Sequence, residues 1–221
     1  MDDVSGDSSA EEYPALMDHR SRAAHTAYYD AEAPRYDESR GGAERVRATT
    51  EALLRLVPAA APGSSHLDVA GGTGSISALV AEAGYGTCVL DGSTGMLRIA
   101  RARGISSVCG DATALPFPDA SFALVTEVWL LHLLTPEDAA VAIDEIARVL
   151  RPGGTAIVSV DKQVSHGGPV LEQDHEPVVA ERLARHGLTI AGTATFEAPS
   201  PWGAAEGRTD PVFRLAAFRR P

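Results

Sequence analysis

The chain has 221 residues, 44% of them hydrophobic, which fits one α/β domain with a full core. Nineteen Lys and Arg stand against thirty Asp and Glu, a net charge of −11 without a long basic run, so no nucleic acid partner is expected. No stretch approaches the roughly eighteen apolar residues of a membrane span, and the acidic residues 1–12 do not resemble a leader, so a cytoplasmic protein with a mobile acidic tail is expected.

From about Tyr13 to Arg40, the tyrosines at 13, 28, 29 and 36 recur without strand alternation, which predicts short helices lying over a cleft. Residues 43–57 read as a helix with Val46, Leu53, Leu54 and Leu56 inward, stopped by Pro58 and a linker of small residues. Strands are expected near 66–70, 87–91, 105–109, 122–128 and 155–160, alternating with helices near 74–83, 94–103 and 136–150. Such alternation predicts a doubly wound, mostly parallel α/β sheet with helices on both faces. In the 136–150 helix, Thr135 serves as cap and Pro136 as first residue, and Ile143, Ile146 and Leu150 share a face. A helix near 176–186 and strands near 188–197 and 212–219 follow. The turn-rich segment between these strands predicts an antiparallel hairpin closing the sheet edge. Cys88 and Cys109 fall in neighbouring strands and read as two buried thiols. Two cysteines are also too few for the three thiolates of an iron–sulfur radical centre.

The segment His66-Leu-Asp-Val-Ala-Gly-Gly-Thr-Gly74 joins a strand to a helix through a turn dense in glycine. Such a turn lets the backbone approach a ligand beside unpaired helix N–H groups. A glycine loop alone is weak evidence. Asp91, then Gly110-Asp111-Ala112, then Arg151-Pro-Gly-Gly154 follow it at suitable distances. In a doubly wound sheet the ligand lies beyond the carboxyl ends of the strands where their order reverses, which is where Asp68 to Gly74 would fall. A carboxylate at Asp91 suits ribose hydroxyls there, although a strand-end charge can simply be exposed. Met96 at helical spacing suits either adenine packing or core, and Asp111 either a ligand contact or an Asx-turn.

Together "HLDVAGGTG", "VLDGSTGML", "GDATALPFPDASF" and "EIARVLRPGG" resemble the class I S-adenosylmethionine-dependent methyltransferases, in the small-molecule branch related to ubiquinone and menaquinone methyltransferases (methyltransferase type 11). The resemblance runs from about Tyr29 to about Val160. It implies a Rossmann-like seven-stranded sheet of order 3-2-1-4-5-7-6 with the last strand antiparallel, S-adenosylmethionine as cofactor and S-adenosylhomocysteine as product. Asp68 is then expected near the methionine amino group, and the loop of Ala70, Gly71, Gly72 and Gly74 around methionine and ribose. Asp91 and Gly92 fall at the ribose, Met96 and the pair Asp111-Ala112 at the adenine, and Glu127 and Val128 beside the methyl-transfer position. Tyr28 and Tyr36 are the expected lid contacts. Two positions depart from the pattern: Ala70 replaces a glycine, which a turn of ordinary negative φ accepts, and Ala123 replaces an acidic residue.

On this basis the domain over 13–221 divides into a helical lid (13–57), a cofactor-binding core (64–160), and an acceptor-lining segment with the closing hairpin (161–221). Methyltransferases of nucleobase amines or protein glutamine commonly carry an Asn/Asp-Pro-Pro-aromatic run where Glu127-Val-Trp-Leu130 stands, so a small-molecule acceptor is expected. Methyl transfer needs alignment of nucleophile and methyl, and a base only for a protonated nucleophile. His132, His166 and His175 are the candidate bases, while His19, His25, His66 and His186 read as surface or packing residues. Trp129, Trp202, Tyr28 and Tyr29 suit either an acceptor wall or ordinary packing. In Asp174-His175-Glu176 adjacent side chains do not converge on one ion, so no metal is expected. The expected activity is methyl transfer to oxygen, nitrogen or carbon of a small molecule, with secondary metabolism as its setting. An S-adenosylmethionine-binding cyclase or isomerase on the same fold is the alternative, ahead of an NAD-dependent dehydrogenase and a cofactor sensor. Monomer and homodimer are both open.

Overall fold

The computed structural model describes residues 22–162, 164, 168–200 and 210–221, so the expected tail, Tyr13, His19, His166 and Trp202 lie outside the described residues. Seven strands form one sheet: β1 (Ser65–Val69), β2 (Gly86–Asp91), β3 (Ser106–Cys109), β4 (Phe122–Glu127), β5 (Leu150–Val160), β6 (Thr189–Glu197) and β7 (Val212–Arg219). Their order is 3-2-1-4-5-7-6, and β7 runs antiparallel to both its neighbours, as expected. The central strands are covered on both faces and carry the apolar runs of a parallel sheet, such as Leu124 and Val125 in β4.

Polar residues interrupt those runs. His66 of β1 and Thr126 of β4 are buried side by side, Nε2 to Oγ1 2.8 Å. The Thr126 hydroxyl donates to Asp68 Oδ1 at 2.6 Å, and the Ser77 hydroxyl donates to Asp68 Oδ2. Because the single Thr126 proton is used on Asp68, His66 donates through Nε2. Burial pulls the imidazole down to about 3, which keeps it neutral. This histidine is therefore part of a buried polar network and not a surface residue.

The helices are α1 (Arg22–Glu32), α2 (Tyr36–Ser39), α3 (Gly42–Leu54), α4 (Ser75–Glu82), α5 (Thr94–Ala102), α6 (Pro136–Val149) and α7 (Glu176–Arg185). Helix α6 starts as its sequence predicts, with Thr135 Oγ1 accepting the Asp138 N–H at 3.1 Å and Ile143 and Ile146 in the core. Its residues Glu145 and Arg148 also fasten the loop after β3: the Leu115 N–H donates to Glu145 (2.7 Å), and Arg148 donates to the Leu115 and Phe117 carbonyls.

Three expectations are corrected. Leu54 is 39% exposed, because it follows Leu53 by one residue, about 100° around the helix, and only Leu53 reaches the core. Cys109 is exposed and Cys88 half-buried, both as free thiols, since β3 is an edge strand. Strand β5 begins at Leu150 and not near 155. A register shift against β4 and the positive φ (73°) of Gly153 absorb the Arg-Pro-Gly-Gly segment into the sheet, and the Gly153 N–H donates to the Arg220 carbonyl (3.1 Å).

Candidate cofactor and acceptor site

A cavity of about 210 Å³ opens at the carboxyl ends of β1, β2 and β4, at the point where strand order reverses. Ala70, Gly72, Asp91, Gly92, Met96, Asp111, Ala112 and Val128 all line it. A smaller cavity of about 60 Å³ adjoins it and is lined by Asp68, Gly71, Arg40 and Arg45; Tyr36, Ala70, Gly72, Val128 and Trp129 border both.

The loop after β1 has the geometry its glycines require. A Cβ on Gly71 would lie 2.6 Å from Asp68 Oδ2, so only glycine lets the carboxylate sit behind the turn. Gly72 has φ 56° and donates its N–H to Asp91 Oδ2 at 2.9 Å. Ala70 also adopts a positive φ, 57°, so the expected negative φ is corrected: the chain keeps a left-handed turn at a residue carrying a Cβ, which costs about 1 kcal/mol. Gly74 belongs to packing and not to the cavity. Its φ of 70° starts α4, and a Cβ there would lie 3.2 Å from the Ala100 Cβ of α5.

Asp91 also accepts the Ser93 N–H at 2.8 Å, and burial raises its carboxyl above the ordinary range. Asp111 unites the two readings of its sequence: it lines the cavity, and its Oδ1 accepts both the N–H and the hydroxyl of Thr113 at 2.8 Å in an Asx-turn. Asp68 is buried, and desolvation pushes its carboxyl up to about 6 against the pull of the Ser77 and Thr126 hydroxyls.

Glu127 is corrected from its expected place beside the methyl-transfer position. It is fully buried behind the wall formed by Val128 to Leu130, accepts the Leu130 and Leu131 N–H groups, and is pushed up to about 7 by desolvation. The turn it holds puts Trp129 at φ 71°, a left-handed conformation rare for a bulky side chain, with the Trp129 N–H donated to Ser159 Oγ at 2.7 Å.

Of the described candidate bases, neither His132 nor His175 lines the cavity, whereas His25, expected as a surface or packing residue, does. His132 is buried in the turn Leu131–Leu133, whose neighbours Leu130, Leu133 and Leu134 form the wall instead. His175 precedes α7 and pairs through Nδ1 with Asp161 Oδ1 at 2.8 Å. Asp174 accepts the Lys162 N–H and Glu176 pairs with Arg214, so this triplet points three ways. Among the described residues, no group of three His, Cys, Asp or Glu is placed to hold a metal ion, and no helix is long and apolar enough to cross a membrane.

On the lid side Tyr36 faces the cavity as expected, but its partner there is Tyr29 and not Tyr28. The hydroxyl of Tyr28 instead accepts from Arg40 at 2.9 Å. Tyr29 and Tyr36 meet edge to face with centroids 6.0 Å apart. Two carboxylates with no motif around them fasten this segment. Asp30 Oδ1 accepts the Ser93 hydroxyl (2.6 Å) and the Gly95 N–H (2.7 Å) at the start of α5. Asp37 accepts the Thr73 hydroxyl at 2.7 Å and pairs with Arg103.

The sheet order and a glycine-loop cavity at the switch point define the class I S-adenosylmethionine-dependent methyltransferase fold. Residues 67–158 match the family described as a methyltransferase domain. A demethylmenaquinone methyltransferase of Renibacterium salmoninarum is 40% identical over 140 residues, covering 60% of this chain and 56% of that protein. One from Beutenbergia cavernae is 40% identical over 139 residues, covering 59% of this chain and 55% of its own length. The chain thus spans little more than half the length of these curated relatives. Among solved structures, magnesium protoporphyrin IX methyltransferase from Synechocystis PCC 6803 with bound S-adenosylhomocysteine superposes with a TM-score of 0.68 at 17% identity, over 90% of this chain and 99% of that one. The [4+2]-cyclase SpnF superposes with 0.67 at 20% identity, over 89% and 95%, which reports the shared fold.

Proposed function

We propose that the chain transfers the methyl group of S-adenosylmethionine to oxygen, nitrogen or carbon of a small molecule. The observation that carries this is the cavity of about 210 Å³, in which a strand-end carboxylate (Asp91), the Asp111-Ala112 turn, Met96 and the Gly72 turn surround one space beyond β1 and β2. That set fits an adenosyl group: Asp91 accepts from ribose hydroxyls, Asp111 and the Ala112 N–H address the adenine edge, and Met96 packs on its face. Asp68 and Gly71 line the adjoining cavity and suit the methionine end, with Tyr36 on the lid side. The bound cofactor supplies a methyl carbon already activated by its sulfonium. The protein aligns the acceptor, and Tyr29, Tyr36 and the leucine wall exclude water.

The curated relatives are methyltransferases over the aligned 140 residues, which supports transfer over cyclisation. A net charge of −11 supports a small-molecule acceptor over a nucleic acid, and two free thiols support a reducing, cytoplasmic setting. In calorimetric titrations of S-adenosylmethionine, S-adenosylhomocysteine and NAD⁺, the expected result is one-site binding of the two adenosyl compounds alone. Binding of NAD⁺ alone overturns the proposal. A product heavier by one methylene unit marks transfer, and an isomeric product marks a cyclase.

A further inference from the structure

Two long cations are buried on the same pair of aromatic rings. The guanidinium of Arg45, from α3, lies 3.8 Å from the centroid of Trp129 and 5.2 Å from that of Phe213. The ammonium of Lys162, just past β5, lies 4.1 Å from Phe213 and 5.4 Å from Trp129. Arg45 is 5% exposed and Lys162 3%, and the two rings are 5.6 Å apart. Arginine and lysine are rarely buried this far. Trp129 borders both cavities, so this cluster adjoins the junction where the adenosyl and methionine ends of the site meet.

Desolvation holds the Lys162 amine well below its ordinary value, Arg45 and Arg40 press it further down, and Asp174 opposes them more weakly. An anion arriving here gains an ion pair in a dry, aromatic-walled setting and draws a proton onto Lys162. The walls, in turn, favour a flat body that stacks on Trp129.

We propose that Arg45 and Lys162, set on Trp129 and Phe213, form the acceptor subsite, and that it selects a planar acceptor carrying an anionic oxygen, such as an aromatic carboxylate or phenolate. This deepens the methyltransferase reading and rests on it. Neither residue was singled out by the sequence. Arg45 sits in a helix whose neighbours read as amphipathic surface, and Lys162 follows a strand whose register alone decides that it turns inward.

The test uses the full chain saturated with S-adenosylhomocysteine and titrated calorimetrically with three probes that share one ring system: 1-naphthoate, 1-naphthylmethanol and 1-naphthylmethylamine. Naphthoate is expected to bind about tenfold or more tighter than the alcohol, the scale of one charge-assisted contact, and the amine weakest. Lys162→Met, at a residue that lines neither cavity, is expected to reduce that preference with S-adenosylhomocysteine affinity held within about twofold, and Arg45→Gln to reduce the preference as well. Arg45→Lys and Lys162→Arg, which keep the charge and the fold, are expected to retain it. Equal binding of acid and alcohol overturns the subsite, as does a preference that survives both truncations. A fall in S-adenosylhomocysteine affinity without loss of the preference makes Arg45 a cofactor contact and overturns it too. Failure of the wild-type chain to bind S-adenosylhomocysteine is a separate outcome, and it removes the methyltransferase reading itself.

Discussion

The floor and the roof of the cavity are held by different physics. The floor is backbone turned at the ends of buried parallel strands, with Ala70 and Gly72 at positive φ and the Asp68 network locked between β1 and β4. The roof is a set of short helices fastened at two points, Asp30 on Ser93 and Gly95, and Asp37 on Thr73 and Arg103. A floor of this kind cannot move without breaking the sheet, whereas two partly exposed carboxylates release a roof at modest cost. Loosening residues 22–41 is therefore expected to alter ligand exchange before it disturbs the sheet.

The buried carboxyls beneath the floor give the largest effect. Glu127 and Asp68 are raised by burial to about 7 and about 6. A raised carboxyl binds its proton more tightly folded than unfolded, so it carries no penalty below the unfolded value and a growing one as pH climbs through the folded value. Stability is thus expected to fall as pH rises from the ordinary Glu value of 4.5 to about 7. Glu127→Gln keeps a carbonyl oxygen for the Leu130 and Leu131 N–H groups and removes its part of the slope. Its gain at pH 8 is expected to be roughly 3 kcal/mol, on the scale of about 1.4 kcal/mol for each tenfold change in proton affinity, with little change near pH 4. Urea melts of both chains at the two pH values check this; parallel slopes would refute it.

Next in size is Gly71→Ala. Its methyl group meets the Asp68 carboxylate at 2.6 Å, an overpacked contact costing about 1–3 kcal/mol, and binding of S-adenosylhomocysteine should fall with the melting temperature. At the roof the two readouts should separate. Asp30→Asn with Asp37→Asn is expected to weaken S-adenosylhomocysteine binding by about three- to tenfold and to speed proteolysis near residues 22–41, while the melting temperature holds, because the half-exposed Asp37–Arg103 pair contributes only about 1 kcal/mol and an asparagine oxygen at 30 still accepts from Ser93 and Gly95. A melting temperature that falls as far as that of Gly71→Ala would erase the distinction between floor and roof. The smallest effect belongs to Ala70→Gly. Release from φ 57° offsets the extra freedom glycine has unfolded, for a net gain of about 0.5 kcal/mol by thermal melts.

The same division governs what the sequence could reveal. The alternation of strands and helices and the α6 cap at Thr135 were readable because each rests on local periodicity or a local turn, whereas the strand order and the placement of Asp91, Met96 and the Asp111-Ala112 pair came from the resemblance to the methyltransferase family. Tyr29 in place of Tyr28, the inward turn of Lys162 and the clasp of Asp30 on α5 were not, because each depends on how far one element rotates against another. Glu127 misled for a related reason. A carboxylate at a strand end reads as solvated, and only the following turn, folding back over it, makes it a buried acceptor of two backbone N–H groups. The Ala70 expectation failed because a positive φ leaves no mark on an alanine in sequence.

Trp129 carries one further consequence. Its indole borders both cavities and stacks against Arg45, so any occupant changes the polarity around it and the quenching it experiences. The chain has two tryptophans, and replacing Trp202 with phenylalanine leaves a single emitter at the heart of the site. Its fluorescence then reports, without any added label and on the timescale of mixing, when the cofactor arrives and when the acceptor follows.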